Sequence, residues 1–287
     1  AYAPGQEQAP AALRLAGLID LLDGHGVAIE DYGDVPGFRW RADKDCPRAM
    51  NAQIVASVAR ETSTAVHGAL ARDRRVLVLG GDCTIELGTV AGALRHDRNV
   101  GLLYIDLDSD LNTPASTTDG ALDWMGVAHM LAIPDTLTEL TSLGPCTPML
   151  RADQVLYFST DNVEPFERDI IDKLSIANIR LKEVVADPVA AAHKAVNWAT
   201  RFDRLLIHLD VDVLDYVDMP LAENTRRNWG LRFDELMMAL RVLLRAPNWS
   251  TLTVCELNPD HGEADGSTLR RFADSLAAAI ANAAAQS

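Results

Sequence analysis

The chain has 287 residues, 48% apolar and 23% charged, with 26 Lys and Arg against 41 Asp and Glu and a formal net charge of −15. This composition is globular, since a disordered chain lacks the apolar surface that offsets its ordering entropy. The charge disfavours nucleic-acid or anionic-membrane partners, which need clustered Lys and Arg, and it suits cations: metal ions, amines and guanidinium groups.

In chain order, apolar runs rich in β-branched residues predict strands at 27–32, 76–80, 100–106, 155–159, 179–185, 205–210 and 251–256. Helical periodicity falls at 11–22, 49–72, 85–94, 124–132, 165–174, 188–200, 233–244 and 267–284. Strands alternating with helices predict βαβ units, a mostly parallel sheet and one domain over 1–287. The unbroken run Val76-Leu77-Val78-Leu79 suits a strand covered on both faces. No apolar run reaches the roughly 18 residues of a membrane span, and no signal peptide is expected. The four cysteines include no CxxC pair, so a reducing cytoplasm is the expected compartment.

Ligands of open parallel sheets bind beyond the carboxyl ends of the strands, and polar residues collect at such ends here. Gly80-Gly81-Asp82-Cys83-Thr84 follows one strand and puts Cys83 at a strand-to-helix corner. A helix N-terminus there favours thiolate, although this segment taken alone reads better as a Gly-rich turn with a buried Cys. Asp106, Asp108 and Asp110 follow the next strand at a spacing of two, which puts them on one face of extended backbone. Crowded carboxylates must take up protons or bind a cation, and oxygen donors suit Mg, Ca or Mn. An EF-hand is excluded, because Leu111 and Thr117 stand where its Gly and Glu belong. A D-x-D phosphatase or sugar transferase fits that segment alone. His208, Asp210 and Asp212 share a face at a third strand end, with Asp215 beyond, and Cys255-Glu256-Leu257-Asn258-Pro259 follows the last strand, its Glu placed to meet a cationic substrate or to serve as a capping or salt-bridged residue. Two acidic strand ends can converge on two divalent ions that activate a water.

These segments, in this order, resemble the arginase/agmatinase family of ureohydrolases, with its Gly-Gly-Asp-His-Ser turn, Asp-Ala-His-x-Asp and Asp-Val-Asp strand ends and late Glu-x-Asn-Pro. Asp110–Gly120 matches the family's substrate loop without a gap, and Pro10–Leu18 is similar to its first helix. The resemblance implies a three-layer αβα fold with an eight-stranded parallel sheet, seven strands of which are visible. The family's first strand would precede residue 1, and the oligomeric state stays open between monomer and trimer. It also implies a small guanidino substrate and two Mn2+ ions bridged by a hydroxide that attacks the guanidinium carbon. Carried over by position, Asp106 and Asp210 bridge both ions, Cys83 and Asp110 complete one, and Asp108 and Asp212 the other. Glu256 receives the guanidinium, and Asn112, Thr117, Asp119, Glu164 and Glu167 match the amino-acid end of the pocket.

Departures from the family narrow the expectation. Cys83 and Asp108 replace its two His ligands, Asp123 stands for its proton-shuttle His, and Asp119 for a Ser that contacts the substrate carboxylate. Cys with no shuttle His is similar to the branch that hydrolyses Nω-hydroxy-L-arginine to hydroxyurea and L-ornithine. Five carboxylates and a thiolate outweigh two divalent ions by two negative charges, so bound water is less acidic and the ions are weaker Lewis acids. Such a site suits a hydroxyguanidine, which is less basic than arginine. Arginase, agmatinase or guanidinobutyrase activity is the alternative, and a non-catalytic metal- or amine-binding member is a further one. Thiolate favours Zn or Fe and carboxylates favour Mn; Mn is the expectation. Asp119 repels an α-carboxylate unless Arg226 or Arg227 compensates, although both fit surface charges as well. His208 reads as a residue that orients a ligand or as a structural His, and His129 as structural.

Overall fold

In the computed structural model, which describes residues 3–35 and 38–285, six strands form one sheet among the described residues. They are β1 (Val76–Leu79), β2 (Val100–Ile105), β3 (Val155–Phe158), β4 (Ala177–Ile179), β5 (Arg204–Asp210) and β6 (Trp249–Cys255). Their order is β1-β6-β5-β2-β3-β4, and every neighbouring pair is parallel. The helices are α1 (Ala9–Leu15), α2 (Leu18–Gly24), α3 (Ala52–Leu70), α4 (Ile85–Leu94), α5 (Gly126–Met130), α6 (Thr138–Thr141), α7 (Pro165–Leu174), α8 (Leu181–Ala186), α9 (Pro188–Ala199), α10 (Phe233–Leu243) and α11 (Ser267–Ala284).

Side-chain alternation along each strand divides the core into two layers. Leu103, Ile105, Leu156, Phe158, Leu205, Ile207 and Leu209 pack with apolar residues of α1, α2, α9, α10 and α11. Leu102, Tyr104, Val155, Tyr157 and Leu206 face the other way, toward α3, α4 and α5. By the same alternation His208 faces the α4 side, in an otherwise apolar layer. The three-layer αβα expectation therefore holds. Where α3 meets α4, the backbones run close together: a Cβ on Gly88 would lie 2.6 Å from the Ala59 carbonyl oxygen.

The strand count needs correction. Residues 27–32 form no strand. They line a groove of about 970 Å³ together with Val76–Leu79, so β1 stays at the sheet edge. The 179–185 prediction also fails: β4 ends at Ile179 and α8 begins at Leu181. The Glu183 carboxylate accepts from the Arg180 N–H at 3.4 Å, an acid three residues in that satisfies a helix-start amide. The helix predicted at 11–22 is two helices, broken at Gly17 (φ 89°). Ala1 and Tyr2, at the head of the segment placed after the family's first strand, lie outside the described residues. No helix among the described residues is long and apolar enough to cross a membrane.

Candidate metal centre

The sheet order brings the four singled-out segments together. β1, β6, β5 and β2 are consecutive neighbours, and each motif follows one of their carboxyl ends. Asp210 is in register with Cys255, and His208 with Tyr104. Local turns then aim the carboxylates: the Asp108 N–H donates to Asp106 Oδ1 and the Asp212 N–H to Asp210 Oδ1, both at 2.7 Å. Asp110 (φ 50°) and Glu256 (φ 60°) adopt left-handed backbone, a strained state for non-glycine residues that clusters at functional sites.

Two overlapping groups of donor atoms can each hold an ion. Cys83, Asp106, His208 and Asp210 offer one atom each within 4.8 Å of one another, and so do Asp106, Asp108 and Asp212. Asp106 belongs to both. Asp106 Oδ2 and Asp212 Oδ1 are buried and have no hydrogen-bond partner among the described residues. Orphaned buried carboxylate oxygens are costly and are the natural seats of a cation, so the residues fit divalent metal. Burial and neighbouring negative charge push Asp106 and Asp210 well above the usual carboxylate range, and Asp212 to about 7. A bound cation reverses such shifts.

Asp110 is placed differently from its expected partner Cys83. Its Oδ2 accepts a short hydrogen bond from the Tyr104 hydroxyl, and it joins neither donor group. His208 takes that place instead, with Nε2 at 3.3 Å from Cys83 Sγ. Cys83 Sγ donates to Asp210 Oδ2 at 3.0 Å. Arg226 reaches into the second group: its guanidinium lies 2.7 Å from Asp108 Oδ2 and 3.8 Å from Asp212 Oδ2. Asp108 also accepts from Asn162 Nδ2. Arg226 is thus an internal cation of the carboxylate cluster, while Arg227 lies over the Tyr216 ring.

Glu256 is buried at the rim of this cluster. Its Oε1 accepts from the Cys83 N–H at 3.0 Å and its Oε2 from Gln6 Nε2 at 2.6 Å. Burial and then the charge of Asp123 push the Glu256 carboxyl well above the usual range. Asp123 itself is half-buried and accepts from the Trp124 N–H.

The remaining sequence-predicted residues frame the loop after β2. Asn112 is buried and accepts from the Ser116 hydroxyl, and Thr117 is half-buried and accepts from the Asp119 N–H. Asp119 is exposed and accepts from the Ala121 N–H. Glu164 is an exposed residue at the start of α7. Glu167 is buried with both oxygens committed, one to the Leu111 N–H and one to the Glu164 N–H, each at 3.0 Å. It braces the loop against α7. His129 bonds the carbonyl of Met125, the residue just before α5, at 2.7 Å.

Tyr104, Glu86 and Asn162 were not singled out from the sequence, and Cys255 was named there only as the head of the Glu256 segment. For two of them a signal was present. Glu86 follows Cys83 by three, one helical turn, and Cys255 is the last residue before the Glu256 motif.

The chain is similar in sequence and fold to known proteins. The sequence profile described as "Arginase family" matches residues 1–283. The arginase of Brevibacillus brevis is 30% identical over 223 residues, covering 75% of this chain and 72% of that protein. Human arginase-1 is 27% identical over 281 residues, covering 96% and 87%. The native crystal structure of Bacillus caldovelox arginase superposes with a TM-score of 0.86 at 27% identity, covering 98% of this chain and 94% of that one.

Proposed function

The chain belongs to the arginase family of ureohydrolases, and from that premise we propose that it hydrolyses the guanidino C–N bond of Nω-hydroxy-L-arginine, giving hydroxyurea and L-ornithine. One observation carries the substrate choice: Cys83 and Asp108 stand where the family's His ligands do, and the donor groups offer four carboxylates, one thiolate and His208, one negative charge more than two divalent ions neutralise. Arg226 contacts Asp108 and Asp212 of the second group. When bound, the two divalent ions supply Lewis acidity toward water and the guanidino group. The all-carboxylate position of Asp106, Asp108 and Asp212 suits Mn2+.

The chain's own groups do the rest. The Glu256 carboxylate, oriented by the Cys83 N–H, receives the guanidinium in place of the Gln6 amide. Asp110, held by Tyr104, takes the proton released by the attacking water. Asp123, half-buried, passes it toward solvent and returns a proton to the leaving amine. Asn112, Thr117 and Asp119, with Glu164 and Glu167, shape the amino-acid end of the pocket within one catalytic domain. Four free thiols suit a cytoplasmic location.

A second reading, arginine hydrolysed to urea, is favoured by the relatives, which are arginases. The test is a panel of arginine, agmatine, guanidinobutyrate and hydroxyarginine on Mn-loaded protein, with urea, hydroxyurea and ornithine measured separately. Hydroxyarginine is expected to give the highest kcat/KM. Arginine turnover equal to or above it replaces the first reading with the second.

A further inference from the structure

Beneath the carboxylates lies a second, softer set of donors. Cys83 is 2% exposed, and Glu86, His208 and Cys255 are fully buried. The sulfur atoms and an imidazole nitrogen lie within 4.8 Å of one another. His208 Nδ1 faces Glu86 Oε2 at 3.4 Å and Cys255 Sγ at 3.8 Å, while Nε2 faces Cys83 Sγ at 3.3 Å. The ring is clamped flat against Tyr104, with centroids 4.0 Å apart and 5° between the planes. Glu86 Oε1 has no hydrogen-bond partner among the described residues. Four polar groups in the apolar layer between sheet and α4 are costly to bury for packing alone.

We infer that His208 is a metal ligand, and that the Cys83 side of the centre is a soft-donor position built by Cys83 Sγ, His208 Nε2, Asp106 and Asp210, which selects Zn2+ while Mn2+ occupies the Asp106, Asp108 and Asp212 position. The inference rests on the dinuclear reading of the site and refines the identity of one ion.

Three observations support it. The imidazole is preset, because a carboxylate on Nδ1 leaves Nε2 as the lone pair, and metal-bound His residues are held that way. Glu86 is the positioning residue here, one helical turn from Cys83. The spacing also fits. Zn–S of about 2.3 Å and Zn–N of about 2.05 Å at a tetrahedral angle put sulfur and nitrogen about 3.6 Å apart. The observed 3.3 Å needs only a small side-chain adjustment. Finally, the two groups differ in kind. One thiolate, one imidazole and two carboxylates suit zinc-class ions, whereas three carboxylates suit manganese. Cys255 stands behind His208 as a nearby thiol and is not required as a ligand.

The test uses the full chain, stripped with chelator under reducing conditions and reloaded with Zn2+, Mn2+, Co2+ or pairs of them. Bound metal is counted by elemental analysis, and Co2+ is followed by absorption. One Co2+ or Zn2+ per chain is expected to bind at least about tenfold tighter than the next ion, and the Co2+ form shows a thiolate-to-cobalt charge-transfer band. X-ray absorption on the Zn-loaded wild type is expected to show one sulfur and at least one imidazole neighbour. Glu86→Gln is expected to weaken that ion about 10–100-fold, the range found when a ligand's carboxylate partner is removed. His208→Gln is expected to lose it while one Mn2+ per chain is retained. Absorption spectra showing oxygen donors alone, or His208→Gln with unchanged Zn2+ affinity, overturn the inference. The wild-type X-ray measurement decides the matter even where the variant does not fold. Loaded protein that shows the sulfur–imidazole shell but hydrolyses no guanidino compound overturns the proposed function and leaves the soft site standing.

Discussion

Glu256 and Asp212 show how single side chains divide binding from metal holding. Glu256 contacts protein donors rather than belonging to a donor group. Glu256→Gln is therefore expected to raise KM for the guanidino substrate about 10–100-fold, the worth of one charge-assisted hydrogen bond. Metal content stays constant in the same preparation; a loss of metal there makes Glu256 a ligand instead. Asp212 carries the pH dependence. Its pKa is raised to about 7 by burial and by Asp108. A group raised on folding adds stability that is complete below its unfolded pKa and is lost as pH rises through the folded value. Chelator-stripped protein is thus expected to melt at lower temperature at pH 8 than at pH 6. Metal binding competes with those protons and strengthens over the same interval. Thermal melts with and without chelator measure both, and a melting point of stripped protein that climbs with pH refutes this. At this scale the Asp residues were legible because spacing of two after a buried strand is a local pattern. The surroundings of His208 were not, because its partners Glu86 and Cys255 come from another helix and strand.

The α3–α4 pair shows what holds the floor of the site. α4 begins just after Cys83 and carries Glu86, and its close approach to α3 depends on Gly88. Gly88→Ala puts a methyl against the Ala59 carbonyl oxygen, a backbone atom that must move. A destabilisation of about 1–3 kcal/mol is expected, as for other overpacked cores. Denaturant unfolding measures it, and an unchanged midpoint contradicts the packing account. Elements were legible where periodicity and length agreed, as in β2, β5, α9 and α11. They were missed where tertiary partners decide. Residues 27–32 have strand composition, but composition does not supply a pairing edge. Val184 and Val185 gave 179–185 the look of a strand, while the Arg180–Glu183 cap set a short helix.

For the whole molecule, metal is part of stability as well as chemistry. An ion that binds only the folded state stabilises it by about 2.7 kcal/mol when present at about 100 times its dissociation constant. Chelation is expected to lower the melting temperature, and Zn2+ plus Mn2+ together are expected to restore more than either alone. Equal restoration by Mn2+ alone argues for one kind of site. The net charge of −15 sharpens the same point. Part of it is concentrated at two strand ends of one sheet, where folding itself brings like charges together.

Arg226 bears on the order of events when the protein is made. With its guanidinium already between Asp108 and Asp212, a newly synthesised chain carries its own placeholder for a cation and can reach its fold before it meets a metal ion. Loading is then an exchange, in which an arginine side chain swings aside for an incoming ion. Removing the placeholder, as in Arg226→Met, is expected to slow refolding in chelator and to tighten divalent-metal binding once folded. The protein would then depend on metal supply from the first moments of its life.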